Sequence, residues 1–187
     1  MKALRHFVLA VGAMMALTAA AEQPDAVITS IREAYSQAQS AVKQNKGQGN
    51  ELVSTMRYTV RGSGLTTEVL HFFYVTTEGT YLLNEGDTRD PHFNYYPLNL
   101  VTRSYNMGAK KFYEEYLFEP DSQRLLFVLM KGYDDNGRRY ERRFYYKDRE
   151  LYKFVGTEAT DFEKECVAYQ ADELLHAFDW LMRNPKE

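Results

Sequence analysis

The segment from Glu51 to Val155 constrains the fold more than any other part of the chain. Throughout it, short β-branched and aromatic runs alternate with turn residues, which is typical of an antiparallel meander. The 15 tyrosines and 11 phenylalanines of the chain also favour strands over helices. The predicted strands cover residues 51–61, 65–76, 80–85, 99–107, 110–118, 124–133, 138–146 and 151–155.

Two segments with helical spacing flank these strands. The first begins after Pro24 and Asp25 and ends at the turn-forming stretch "NKGQGN" (45–50). The second begins after Gly156, with Thr160 or Asp161 as its N-cap. The apolar stripe predicted for the first helix is Val27, Ile28, Ile31, Tyr35, Ala38 and Val42. The stripe predicted for the second helix is Phe162, Cys166, Tyr169, Leu174, Phe178 and Leu181.

This arrangement predicts an α+β fold. We expect a curved antiparallel meander sheet of about 7–8 strands, with an N-terminal and a C-terminal helix packed on it. Both helices should place their apolar stripes on the concave face of the sheet. A closed β-barrel with flanking helices is the alternative architecture.

The first 21 residues predict a cleavable secretory signal peptide. Met1 to Arg5 form a short basic start, Phe7 to Leu17 are small and apolar, and Ala19 and Ala21 suit a signal peptidase. The apolar run is too short to cross a bilayer, which takes about 20 residues. We therefore expect a single domain of residues 22–187, without a transmembrane segment, in the periplasm or secreted.

The residue counts argue against an intramolecular disulfide and against a nucleic-acid partner. The lone cysteine, Cys166, leaves no intramolecular disulfide available. Without Lys2 and Arg5 the chain has 21 basic and 26 acidic residues, a net charge of about minus 5. Such a chain lacks the global positive field of a nucleic-acid-binding protein, so we expect no nucleic-acid partner.

The basic stretch "DDNGRRYERRFYYKDREL" (134–151) predicts a hairpin with a solvent-exposed charged face rather than an anion-binding site. A two-residue loop at Asn136-Gly137 would set Lys131 against Arg142, an unfavourable like-charge pair. A three-residue loop, 135–137, sets Lys131 against Glu141 and Val128 against Phe144, with Gly137 in the left-handed conformation. We therefore expect the three-residue loop.

The following turn extends the same pattern. A turn centred on Asp148-Arg149 pairs Lys147 with Glu150 and Tyr146 with Leu151. Arg139, Glu141 and Arg143 then form a solvated stripe that also protects the strand from edge pairing.

Residues typical of catalytic or metal sites are few. The sequence has no paired-histidine metal motif, phosphate loop or nucleophile elbow. We expect Cys166 to be a buried, inert thiol. Asp87, Asp90 and His92 have ligand chemistry, but their spacing is not diagnostic of a metal site. We predict no catalytic residues, metal or cofactor.

The loop at 86–98, "GDTRDPHFNYYPL", is longer than most hairpin connections. It combines polar groups with aromatic rings, which give binding surfaces area at low entropic cost. The candidate ligand-binding residues are Arg89, His92, Phe93, Tyr95 and Tyr96. In the alternative interpretation, the rings fold back and plug one end of the sheet.

Three functional classes are compatible with these features. The first is a non-catalytic binding domain for an unknown small molecule, glycan, peptide or envelope component. The second is a structural or inhibitory protein-interaction module, which would expose a flat apolar patch. The third is a small hydrolase using the 86–98 loop, which requires a nucleophile and a base in mutual reach. We favour the binding domain; the sequence leaves the ligand and the oligomeric state open.

Overall fold

The computed structural model of the chain describes residues 25–44, 50–80, 90 and 92–183. The predicted signal peptide, Arg89 and most of the predicted strand 80–85 lie outside these residues. The helices are α1 (Ala26–Gln44) and α2 (Asp161–Arg183). The strands are β1 (Glu51–Val60), β2 (Gly64–Tyr74), β3 (Thr77–Thr80), β4 (His92–Tyr95), β5 (Leu98–Met107), β6 (Lys110–Phe118), β7 (Leu125–Tyr133), β8 (Arg139–Lys147) and β9 (Glu150–Gly156).

Seven of these strands form one open antiparallel sheet, which confirms the predicted α+β class. Its strand order is β1-β2-β5-β6-β7-β8-β9, so β1 and β9 lie at opposite edges and the sheet does not close into a barrel. Strands β3 and β4 pair separately as a two-stranded sheet. The predicted strands 51–61, 99–107 and 110–118 agree with β1, β5 and β6 to within one residue.

The two helices pack on opposite faces of the seven-stranded sheet, so the prediction that both lie on its concave face is wrong. We name the faces the α1 face and the α2 face. On the α1 face, the buried core consists of Ile28, Ile31, Ala38, Leu100, Leu117, Phe127, Leu129 and Tyr145. On the α2 face, it consists of Leu70, Phe72, Leu98, Val101, Tyr116, Phe118, Val128, Phe144, Tyr146, Val167, Ala171, Leu174 and Phe178.

The reason for this two-sided packing lies in the central strands. Successive residues of a strand point to opposite faces, and Tyr116, Leu117 and Phe118 of β6 are all at most 1% exposed. A strand buried on both faces carries a continuous apolar run instead of an alternating one. A continuous run therefore requires a covering helix on each side.

Helix α1 begins and packs as its sequence predicts. The Asp25 Oδ1 atom accepts hydrogen bonds from the backbone amides of Val27 (3.0 Å) and Ile28 (3.3 Å), which caps the first turn. Ile28, Ile31 and Ala38 are buried, while Val27, Tyr35 and Val42 pack beside them. The predicted apolar stripe is therefore confirmed.

Helix α2 has the predicted start but a different buried stripe. Thr160 and Glu163 cap it reciprocally: Glu163 N donates to Thr160 Oγ1 at 3.2 Å and Thr160 N to Glu163 Oε2 at 2.7 Å. The buried residues are Val167, Ala171, Leu174 and Phe178. Phe162, Cys166 and Tyr169 are exposed, so the predictions that they are core residues and that Cys166 is buried are wrong.

Arg142 fastens the start of α2 to strand β8. Its Nη1 atom donates to Glu163 Oε1 at 2.8 Å and its Nη2 atom to the Glu158 carbonyl at 2.7 Å. The guanidinium also lies 4.5 Å from the centroid of the Tyr140 ring. Residues on two elements thus fix where the helix begins.

The basic hairpin has the three-residue loop. Lys131 faces Glu141, with 3.2 Å between Lys131 Nζ and Glu141 Oε2, and Val128 faces Phe144. Gly137 has a φ of 75°, in the left-handed region where glycine is favoured. The next turn also has the predicted register, with Lys147 opposite Glu150.

None of the helices within the described residues is long and apolar enough to span a membrane.

Candidate functional site

The predicted 86–98 loop contains a short strand, and three of the five candidate ligand-binding residues lie on it. His92, Phe93 and Tyr95 belong to β4, which pairs with β3 in the register Thr80–His92 to Thr77–Tyr95. The Phe93 ring lies over Gly79, where a Cβ atom would come 2.4 Å from Phe93 Cζ. Tyr95 and Tyr96 are 40% and 42% exposed. Arg89 lies outside the described residues, and ligand binding at this segment remains a prediction.

Tyr96 also belongs to a chain of rings that reaches the core. Its ring meets that of Tyr74 edge-on at 5.7 Å, and Tyr74 lies 5.6 Å from buried Phe178 of α2. Tyr95 instead contacts Phe93, with 6.1 Å between the ring centroids. The two neighbouring tyrosines therefore have different surroundings, one beside the core and one on the small sheet.

A second candidate site, a partly enclosed cavity, lies between α1 and the sheet. It has a volume of about 190 Å³ and is lined by Ile31, Arg32, Tyr35, Phe127, Arg143 and Tyr145. Three rings form a connected wall, because Phe127 lies 4.8 Å from Tyr35 and 5.0 Å from Tyr145. An apolar cavity of similar size, about 150 Å³, is large enough for a benzene ring.

Two arginines give this cavity a basic rim. Arg32 is exposed; its Nε atom lies 3.4 Å from Tyr145 Oη and its guanidinium 5.8 Å from the Tyr145 ring centroid. Among the described residues no carboxylate forms an ion pair with Arg32. Arg143 forms an ion pair with Glu141 through Nη2. Since a guanidinium has five N–H donors, both arginines retain donors for an anion.

A buried carboxylate beside the cavity holds α1 against the sheet. Glu115 is 5% exposed, accepts hydrogen bonds from the Tyr35 and Tyr113 hydroxyls, and also accepts one from Gln39 Nε2 at 3.0 Å. Burial and the neighbouring Glu115 carboxylate raise the pKa values of Tyr35 and Tyr113 above their ordinary range. Both hydroxyls therefore stay protonated at neutral pH, and Tyr35 is fixed as a wall of the cavity.

The α2 face has a second buried polar cluster, centred on Arg103. Its Nε atom donates to Glu68 at 2.6 Å and its Nη1 atom to Glu114 at 3.2 Å. Burial opposes the charged guanidinium, but the two carboxylates raise the pKa of Arg103 above its usual value. Glu114 also accepts hydrogen bonds from Tyr105 (3.1 Å) and Tyr116 (2.8 Å). These mutual contacts satisfy the cluster internally, so it acts as part of the fold.

The remaining residues with catalytic potential are dispersed. His71 bonds Glu51 at 2.6 Å, and His176 bonds the backbone carbonyl of Asp172 at 2.9 Å. Within the described ranges no hydrogen bond joins a histidine to a serine, threonine or cysteine, and no three potential metal ligands cluster together. The nucleophile and histidine pair that the hydrolase alternative requires is not seen among the described residues, and residues 86–89 and 91 of its loop lie outside them.

Sequence reasoning missed the cavity because its rim is assembled from distant segments. Arg32 follows a core position of α1, and Arg143 is one of several arginines assigned to the solvated stripe of β8. Only the placement of α1 on the face that carries Arg143 brings them to one cavity. The available sequence signal was the pair of apolar runs 116–118 and 125–130, which indicates a sheet covered on both faces. Comparisons with protein-family models, curated proteins and solved structures found no match to the chain.

Proposed function

We propose that the chain is a non-catalytic binding domain for a small organic anion with an apolar body. The observation that carries this proposal is the aromatic cavity under α1 with Arg32 and Arg143 on its rim. Pockets for small molecules combine mostly apolar walls with a few polar groups that fix orientation. Here the rings would enclose the apolar part of the ligand and the arginines would bind its carboxylate.

The size and charge of the cavity define the ligand class more closely. A volume of about 190 Å³ suits a single ring or a short aliphatic chain and excludes a long acyl chain from full enclosure. Arginine is well matched to a carboxylate because its planar donors bind both oxygens. Benzoate and hexanoate are therefore suitable probes.

Titration of the chain with these two acids, followed by NMR chemical shifts, tests the proposal. We expect benzoate and hexanoate to bind and the neutral benzamide and hexanamide to bind much more weakly. Arg32→Gln and Arg143→Gln should each weaken benzoate binding by about tenfold or more, since a hydrogen bond to a charged group contributes about 1.5–3 kcal/mol.

Arg139→Gln is the matched control, because Arg139 is an exposed arginine on the same strand and face that does not line the cavity. It should leave the affinity unchanged. Equal affinity for acid and amide, or no effect of Arg32→Gln, would contradict the proposal. Binding that instead depends on Tyr95 and Tyr96 would identify the 86–98 segment as the site.

We also propose that the domain works outside the cytoplasm, in the periplasm or secreted, on the basis of the signal-like start of the sequence. Cleavage after Ala21 would leave Glu22 as the first residue. Intact-mass analysis of protein recovered from outside the cytoplasm tests this placement, and a mass that includes residues 1–21 would contradict it.

A further inference from the structure

The outward face of α2 carries a line of large apolar side chains. Phe162, Tyr169 and Trp180 are 74%, 68% and 58% exposed, and Cys166 is exposed between the first two. Their spacing places them on one side of the helix, since 18 residues, the separation of Phe162 and Trp180, make about five turns of 3.6 residues. We name Phe162, Cys166, Tyr169 and Trp180 the outer stripe.

The outer stripe differs from ordinary surface exposure of apolar groups. Single exposed apolar residues are common, but Phe162, Cys166 and Tyr169 follow one another within two turns and so form a cluster. Glu173 and His176 lie on the same side of the helix between Tyr169 and Trp180, so the stripe combines aromatic with polar groups. The core stripe of α2 is separate, because Val167, Ala171, Leu174 and Phe178 already pack on the sheet. Helix α2 is thus apolar on two opposite sides, and a helix of that kind is usually covered on both.

The charges beside the outer stripe define what could cover it. Glu165, Asp172 and Asp179 are exposed, recur every seven residues and so form an acidic line along the stripe. Among the described residues none forms an ion pair with these three carboxylates. Helix α2 contains six acidic and two basic residues, a net charge of minus 4, compared with minus 3 for the whole chain.

We propose that the outer stripe docks a basic amphipathic helix of a partner protein. Apolar side chains of the partner would cover Phe162, Tyr169 and Trp180, and its lysines or arginines would face Glu165, Asp172 and Asp179. Charge complementarity across an interface selects partners by penalising like charge. A second copy of α2, with the same net charge of minus 4, and an anionic membrane surface are both disfavoured on that ground.

The chain provides its own reporter for a test, because Trp180 is its only tryptophan. The probe is a synthetic helical peptide of about five turns with leucines along one face and lysines beside them. The matched control peptide has glutamate in place of each lysine. We expect the lysine peptide, and not the glutamate peptide, to shift Trp180 emission to shorter wavelength.

Variants locate the contact on the outer stripe. Phe162→Ser and Tyr169→Ser should each weaken binding of the lysine peptide by about fivefold or more, as expected for anchor residues of an interface. Asp172→Lys should weaken it through charge, whereas Leu65→Ser should leave it unchanged, because Leu65 is 62% exposed but lies on β2. Thermal unfolding of each variant verifies that it is folded.

Several results would overturn the proposal. The lysine peptide could fail to bind, or the glutamate peptide could bind as tightly. Light scattering could reveal a dimer that Phe162→Ser abolishes, which would make a second copy the occupant. Phosphatidylglycerol vesicles alone could shift the Trp180 emission, which would indicate a membrane. Benzoate binding at the α1 cavity does not bear on any of these outcomes.

Discussion

At the scale of single residues, charge pairs determine both register and capping. Lys131 was enough to distinguish between two possible turns of the basic hairpin. The three-residue turn places it opposite Glu141, an opposite charge, whereas the two-residue turn would place it opposite Arg142, a like charge. Glu163 has a second role of this kind, since its carboxylate caps α2 and also binds Arg142. One side chain therefore joins a helix end to a strand.

Glu163 makes the stability of the protein sensitive to acid. Hydrogen bonds from Thr160 and Arg142 lower the pKa of its carboxyl below the ordinary value of 4.5. Its contribution to stability is therefore present above pH 4.5 and is lost as the pH falls through the folded-state pKa. Glu163→Gln should flatten the fall of the thermal midpoint below pH 4.5. Glu165→Gln is the exposed control on the same helix, and an equal flattening by that variant would contradict the assignment.

At the scale of elements, the sequence predicted what depends on local pattern and failed where tertiary placement decides. The register of the β7–β8 hairpin follows from neighbours a few residues apart, and it was predicted correctly. The core stripe of α2 was misassigned because the helix has apolar residues on two sides, and periodicity cannot tell which side faces the sheet. The cavity was missed because Arg32 and Arg143 lie far apart in the chain.

Single substitutions can separate the structural roles of Tyr95 and Tyr96. Tyr96→Ala should lower the melting temperature by a few degrees, because its ring shields Tyr74 and, through it, Phe178. Tyr95→Ala should change it little, since that ring contacts Phe93 on the small sheet. Unfolding scans of the two variants measure the difference. An unchanged scan for Tyr96→Ala would favour the view that both rings are available to a ligand.

At the scale of the whole molecule, the many tyrosines link stability to high pH. Burial raises the pKa values of Tyr35, Tyr105, Tyr113, Tyr116, Tyr140 and Tyr146 above the ordinary value of 10.0. The unfolded chain therefore loses these protons first as the pH rises, and stability falls above pH 10.

Tyr146 gives the sharpest test of this alkaline instability. Its hydroxyl is buried and has no hydrogen-bond partner within the described structure, so burial alone shifts its pKa. Tyr146→Phe should keep or increase the stability at pH 7 and reduce the loss above pH 10. Denaturant unfolding at the two pH values measures both quantities. Tyr116→Phe is the contrasting variant, because it also removes the hydrogen bond to Glu114 and should cost stability at pH 7.

The position of α1 on the sheet has a consequence for the order in which the chain folds. Five of the six strand pairings in the large sheet join strands that are consecutive in the chain, four of them through short turns, so these hairpins can form as soon as their residues are available. Helix α1 instead packs on β7 and β8, and its contact between Tyr35 and Phe127 joins residues that are far apart in the sequence. During synthesis α1 therefore emerges first and docks late. Until Tyr145 has been added, its apolar stripe lacks a complete binding surface and stays exposed to water.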